Sequence, residues 1–161
     1  FVSRWDVAAN KRLPGALHNR LGIAVAAQTY RAYRELLAAP RWHQLASAGA
    51  HVQRPLWAST GTKDPAAPDT LYVEALAAPD TINTLPEKTL FAFSDHGKVQ
   101  PSLQGDGGDT TIAQCREAGI DIDALAEQLQ REGAESFSQS WAKLLDNLAG
   151  KAKAAPGKAA A

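Results

Sequence analysis

The sequence predicts an α/β fold built on a parallel sheet. Three observations carry that reading. Short strand-like runs alternate with longer stretches of helical periodicity, the order expected when each helix returns the chain for another parallel strand. Glycine or proline punctuates most of the boundaries between them. The 161 residues hold three such strand–helix units and a helical coda, whereas a closed barrel of eight units needs about 200 residues or more. Three strands at this spacing are therefore a small open sheet or the last three units of such a barrel with a C-terminal helical cap.

The first element, FVSR at residues 1–4, reads as the end of a strand already in progress. Residues 11–15 form a linker with helix-start chemistry. Leu17, Leu21, Val25, Ala32 and Leu36 then recur at helical spacing to about residue 39. Pro40 stops this helix, because proline disfavours helical backbone in the residue before it. Residues 42–46 make a short helix closed by Gly49. The second strand is VQRPLWAS, residues 52–59, weakened at Pro55, which removes a ladder donor. Residues 64–69 form a proline-rich turn, and Asp69 is the expected N-cap of a helix over 70–77. The β-branched run 81–85 is the third strand, and Pro86 suits the first turn of a helix over 87–96 that Gly97 ends. A glycine-rich loop, 100–109, precedes a helix opened by Asp109 or Thr110 and ended by Gly119. Two further helices, 123–133 and 135–148, complete the ordered portion, residues 1–150. Residues 151–161, only Ala, Lys, Gly and Pro, are expected to be a disordered tail.

Composition excludes several classes. Seventeen Lys and Arg balance seventeen Asp and Glu, which argues against nucleic acid as a partner, since that takes a clustered basic excess, and against a polybasic membrane patch. No apolar run approaches the roughly 18 residues of a spanning helix, and the N-terminus lacks the basic start and apolar core of a signal peptide. A single cysteine, Cys115, precludes an internal disulfide framework and fits a reducing cytoplasm. Four His and one Cys without close spacing argue against a structural zinc site. The chain has no Met and begins at Phe1, so it is expected to be processed or the rear part of something longer.

Ligands of parallel α/β folds bind beyond the C-terminal ends of the strands. Arg4 closes the first strand, Ser59-Thr60-Gly61-Thr62-Lys63 the second, and Thr84-Leu85-Pro86 the third. Hydroxyls, a glycine and a lysine within five residues are the makings of an anion site, and a phosphate is its natural guest. Arg4 would reach the same anion as a bidentate donor. The competing reading is a polar turn with a solvated lysine, and the residues alone leave both open. The glycine–lysine spacing is not that of a P-loop. Asp64, Asp69 and Glu87 read as turn and cap residues, His18, His43 and His96 as surface or capping histidines, and Cys115 as a buried, inert thiol.

The runs FVSRWD, LHNRLGIAVAAQTYRAY, RPLWASTGTKDPAAPDTLYVEALAAPDTINTLPEKTL and REGAESFSQSWAKLL together resemble the C-terminal half of bacterial transaldolases, from residue 1 to about 148. The resemblance implies the C-terminal part of a TIM (β/α)8 barrel: strands 6–8 with their helices, plus C-terminal helices. It implies transfer of a dihydroxyacetone unit between sugar phosphates in the pentose phosphate pathway, from sedoheptulose 7-phosphate to glyceraldehyde 3-phosphate, giving erythrose 4-phosphate and fructose 6-phosphate. The chemistry runs through a lysine Schiff base, needs no metal or organic cofactor, and belongs to the cytoplasm. A homodimer of the full-length enzyme is compatible with it.

By the same resemblance, Arg4 matches the family arginine that binds substrate phosphate at the end of the sixth strand, and Phe1 the aromatic residue that shapes the pocket. Ser59 matches the serine at the phosphate after the seventh strand. Many members carry an arginine two residues later; here that position is Gly61, and Lys63 stands in as the cation. Thr60 and Gly61 line the pocket. The Schiff-base lysine belongs to the fourth strand and the acid/base carboxylates to the first and third, so no catalytic residue is expected within this chain, which should be inactive alone. The rival readings are a non-catalytic sugar-phosphate-binding or interaction module derived from the same barrel, and another Schiff-base aldolase.

Overall fold

The computed structural model describes residues 2–100, 103 and 105–154. It is mostly helical, with one small parallel sheet. The order is α1 (Val2–Ala9), two single turns of 3₁₀ helix (Asn10–Arg12 and Gly15–Leu17), α2 (Leu21–Ala38), α3 (Pro40–Ser47), β1 (Leu56–Trp57), α4 (Leu71–Ala75), β2 (Ile82–Asn83), α5 (Glu87–His96), α6 (Asp109–Glu117) and α7 (Ile122–Ala154). The chain divides into two units, the first ending at Ile122 and the second beginning at Asp123.

The expected first strand is a helix. Burial in α1 falls on Val2, Ser3, Asp6 and Ala9, the stripe of a 3.6-residue period. An extended conformation would put Val2, Arg4 and Asp6 on one face and bury the guanidinium beside the valine. The helix keeps Arg4 at the surface.

The other two expected strands form, but each shrinks to two residues. β1 and β2 run parallel, with Leu56 opposite Ile82 and Trp57 opposite Asn83. Ile82 N–H donates to Pro55 O at 2.9 Å and Thr84 N–H to Trp57 O at 3.0 Å. Pro55 accepts in this ladder but has no N–H to extend it, which is why β1 begins only after it. The sheet's two faces differ. Trp57 is buried, whereas Leu56 and Ile82 are 52% and 43% exposed on the other side.

The core of the first unit joins α1, α2, β1 and α4 through Val2, Ala26, Tyr30, Trp57, Tyr72 and Leu76, with Leu103 added from the glycine-rich segment. α2 and α1 cross at Gly22. A β-carbon there would run into Val2 O and lie 2.7 Å from Asp6 Oδ2. Pro40 ends α2 as expected and at once opens α3, since Ala39 takes the extended conformation (ψ 141°) that a residue before proline prefers. α5 has the expected bounds. Asp69 does not cap α4; Thr70 holds the N-cap position, and its hydroxyl donates to Glu74 Oε1 at 2.9 Å without accepting a capping bond from the backbone.

In the second unit, the two expected helices are one. α7 passes through Gly133 without a break and continues to Ala154. Gly133 does not adopt the positive φ with which glycine closes a helix. Within a run of Ala, Glu, Gln and Leu its cost of about 1 kcal/mol against Ala is absorbed. Lys151 to Ala154, expected in the tail, form the helix end; residues 155–161 lie outside the described residues. Phe137, Trp141, Leu144, Leu145 and Leu148 are exposed and recur at helical spacing along α7. No described helix is long and apolar enough to cross a membrane.

Gly22→Ala is expected to destabilise the first unit by about 2–3 kcal/mol, because both obstacles belong to a packed neighbouring helix. Urea unfolding followed by tryptophan fluorescence checks this; an unchanged midpoint would show that α1 yields freely.

Candidate functional site

The site is built where α1 meets the segment after β1. The first N–H groups of a helix have no partner within it. In α1 they are used across the fold: Val2 N–H donates to Ala58 O at 3.3 Å and Ser3 N–H to Ser59 O at 3.4 Å. The Ser3 hydroxyl adds a second bond to Ser59 O at 2.9 Å. Arg4 follows directly in the first turn of α1, on the surface. Two of the expected site segments, remote in sequence, are thus stitched together one residue away from Arg4.

Ser59 has φ +63°, the left-handed region, which costs a residue with a β-carbon about 1–2 kcal/mol. The bonds accepted by its carbonyl help hold it there. Its side chain is exposed, as is that of Lys63.

The three residues between them have other tasks. Thr60 is fully buried, its Oγ1 2.7 Å from Asn83 Oδ1 and 3.0 Å from Thr84 O. Its hydroxyl ties the end of β1 to the end of β2. Gly61 is buried too, and a β-carbon there would lie 3.1 Å from Pro86 Cγ and 3.5 Å from Thr89 Oγ1. The glycine therefore serves close packing against the start of α5. The Thr62 hydroxyl donates to Pro68 O at 2.8 Å, fastening the turn that leads to α4. Of the five-residue run, Ser59 and Lys63 present exposed side chains. Phe1, expected to shape the pocket, lies outside the described residues.

Sequence reasoning missed Asp6, which is 1% exposed. Its Oδ2 accepts the Tyr72 hydroxyl at 2.7 Å and its Oδ1 the Gly22 N–H at 3.1 Å. Burial pushes its carboxyl above the usual aspartate value, while the Tyr72 and Gly22 bonds pull the other way. Burial and the neighbouring Asp6 push the Tyr72 phenol up as well. α2 has no side-chain cap of its own at Arg20, and the Asp6 carboxylate fills that place from α1. The available signal was the spacing of Asp6 with Val2 and Ala9, legible only once the segment is read as helical.

The acids expected in turns are mostly there. Asp64 accepts from Asn19 Nδ2 at 2.7 Å and from Ala66 N–H at 2.9 Å, which lowers its pKa. Asp69 meets His96, with Nε2 2.9 Å from Oδ1, and His96 Nδ1 lies 3.1 Å from Asp95 Oδ2. The hydrogen bonds to Asp69 and Asp95 hold the imidazole pKa above 6.5. Arg31 forks onto Asp109 at 2.6 and 3.0 Å and also donates to Asp106 O, steadying the glycine-rich loop and holding the Asp109 carboxyl at about 2. Cys115 is buried, and burial raises its thiol pKa.

Residues 1–148 match the family described as transaldolase/fructose-6-phosphate aldolase. The chain is similar to the transaldolase of Frankia alni, 45% identical in an alignment covering 92% of this chain and 43% of that protein. It is 46% identical to that of Acidothermus cellulolyticus, over 89% of this chain and 41% of the relative. Against the transaldolase of Thermobifida fusca the identity is 43%, over 92% and 43%. The chain thus spans less than half the length of these relatives.

Two outcomes follow from the geometry. Thr60→Val removes the hydroxyl shared by Asn83 and Thr84 and should cost about 1–3 kcal/mol, read as a lower urea midpoint. The His96 bridge has a pKa raised above 6.5 in the folded state, so its contribution is complete below that value and fades as pH rises through the folded pKa. An NMR titration should place the His96 midpoint above 6.5, and Asp69→Asn should lower it.

Proposed function

The chain belongs to the transaldolase/fructose-6-phosphate aldolase family, and from that premise we propose that it supplies the substrate-phosphate side of a transaldolase. The substrates are ketose and aldose phosphates of the sedoheptulose 7-phosphate and fructose 6-phosphate kind. Arg4 and Ser59 grip the phosphate, with Lys63 as a further cation. The observation that carries this reading is the pair of Ser3–Ser59 bonds, which sets the turn bearing Arg4 against the residue bearing the Ser59 hydroxyl.

The division of labour follows from the chemistry. A lysine amine adds to the ketose carbonyl, water leaves, and the iminium accepts the electron pair when the C–C bond breaks; the same pair then attacks the aldose carbonyl and hydrolysis frees the product. In this proposal the lysine and its acid/base carboxylates come from strands this chain does not contain. Its own part is to anchor the far end of the sugar, away from the reacting carbons. Binding energy from such a remote group positions the carbonyl before any bond changes. Arginine is suited to this by its fork, while Lys63 adds charge without direction. Phe1, Thr60 and Gly61 would stand around the pocket, Thr60 and Gly61 by shaping its wall from beneath. The work is cytoplasmic in this reading.

In the intact enzyme, Arg4→Ala should raise KM for phosphorylated sugars by a factor equivalent to a lost charged hydrogen bond, about 1.5–3 kcal/mol. Steady-state kinetics with fructose 6-phosphate measures it. An unchanged KM would remove Arg4 from the clamp.

A further inference from the structure

We propose that Asp6 is a positioning residue for the phosphate clamp, acting through Tyr72; the proposal rests on the clamp reading above. Asp6 lies two residues beyond Arg4 on the same short helix, and its carboxylate is buried against neutral donors, a phenol and a backbone N–H. Burying an acid this way is unfavourable unless its hydrogen bonds are well made. The Tyr72 bond is short at 2.7 Å, the Gly22 bond is ordinary at 3.1 Å, and Gly22 has no β-carbon to block the approach.

The consequence is rotational. A helix tethered at one point can turn about its axis. α1 is tethered near its start by Ser3 on Ser59 and near its middle by Asp6 on Tyr72 and Gly22, all on the buried face. That pair of anchors sets the direction in which Arg4 leaves the helix. Tyr72 is also the second residue of α4, and α4 is reached through the turn to which the Thr62 hydroxyl is fastened. One buried hydrogen bond therefore holds the helix of Arg4 in register with the loop of Ser59 and Lys63.

The test uses the intact enzyme that carries this chain, titrated by NMR with fructose 6-phosphate and, as control, fructose. Tyr72→Phe, which removes a single oxygen, should weaken fructose 6-phosphate binding about five- to tenfold and leave the fructose response unchanged. In an Arg4→Lys background, where charge remains but the directional fork is gone, the same change should cost less than twofold. Asp6→Asn should behave like Tyr72→Phe; if it fails to fold, Tyr72→Phe still decides. Equal weakening in both backgrounds would mean a general structural effect and overturn the proposal. So would parental affinity in a folded Tyr72→Phe enzyme, with the clamp left standing provided Arg4→Ala weakens binding. If Arg4→Ala binds as the parent does, or the parent shows no phosphate-dependent shift, the clamp reading fails and this proposal falls with it.

Discussion

The unsatisfied amides at the start of α1 organise the candidate site. They must be paired somewhere, and the nearest acceptors are the carbonyls of Ala58 and Ser59 just past β1. Meeting that need draws two segments together across 56 positions of sequence and adds the Ser3 hydroxyl to the same acceptor. It also explains why Ser59 tolerates a left-handed backbone. This pairing gives the Arg4 turn and the Ser59 loop a direct shared frame.

The loop after β1 divides its chemistry between structure and surface. Thr60 is spent on β2, Thr62 on the turn before α4, and Gly61 on the start of α5. A polar pentapeptide that looks like an anion nest is in large part a set of fasteners. What it presents outward, the side chains of Ser59 and Lys63, is thereby held on a loop pinned at three points. Such a mount suits a binding group better than a flexible loop does.

Much of the fold was legible from local rules. Pro40, Pro86 and Gly97 act where they stand in the chain, so α2, α3 and α5 fall close to their expected bounds. The parallel pairing of β1 with β2 was readable from the helix between them. Residues 1–4 misled because four residues cannot distinguish a period of 2 from one of 3.6; the burial of Asp6 and Ala9 does. Gly133 misled because a glycine ends a helix only when its backbone leaves the helical region, as at Gly97 and Gly119 but not at Gly133, and composition does not reveal which it will do.

The sequence by itself determined, by resemblance, the family and, by local pattern, most of the helices, the order β1–α4–β2 and which residue types stand near the ends of those strands. The elements depend on periodicity and short-range punctuation, the family on the length and specificity of the matching runs. Only the tertiary structure decided that Arg4 stands on a helix, that the Thr60 hydroxyl is already engaged, and that Asp6 and Tyr72 meet across 66 positions. The physical reason is that a hydrogen bond takes whichever acceptor packing brings within about 3 Å. Which one that is depends on how distant segments bury their apolar faces, and no window of neighbouring residues contains it.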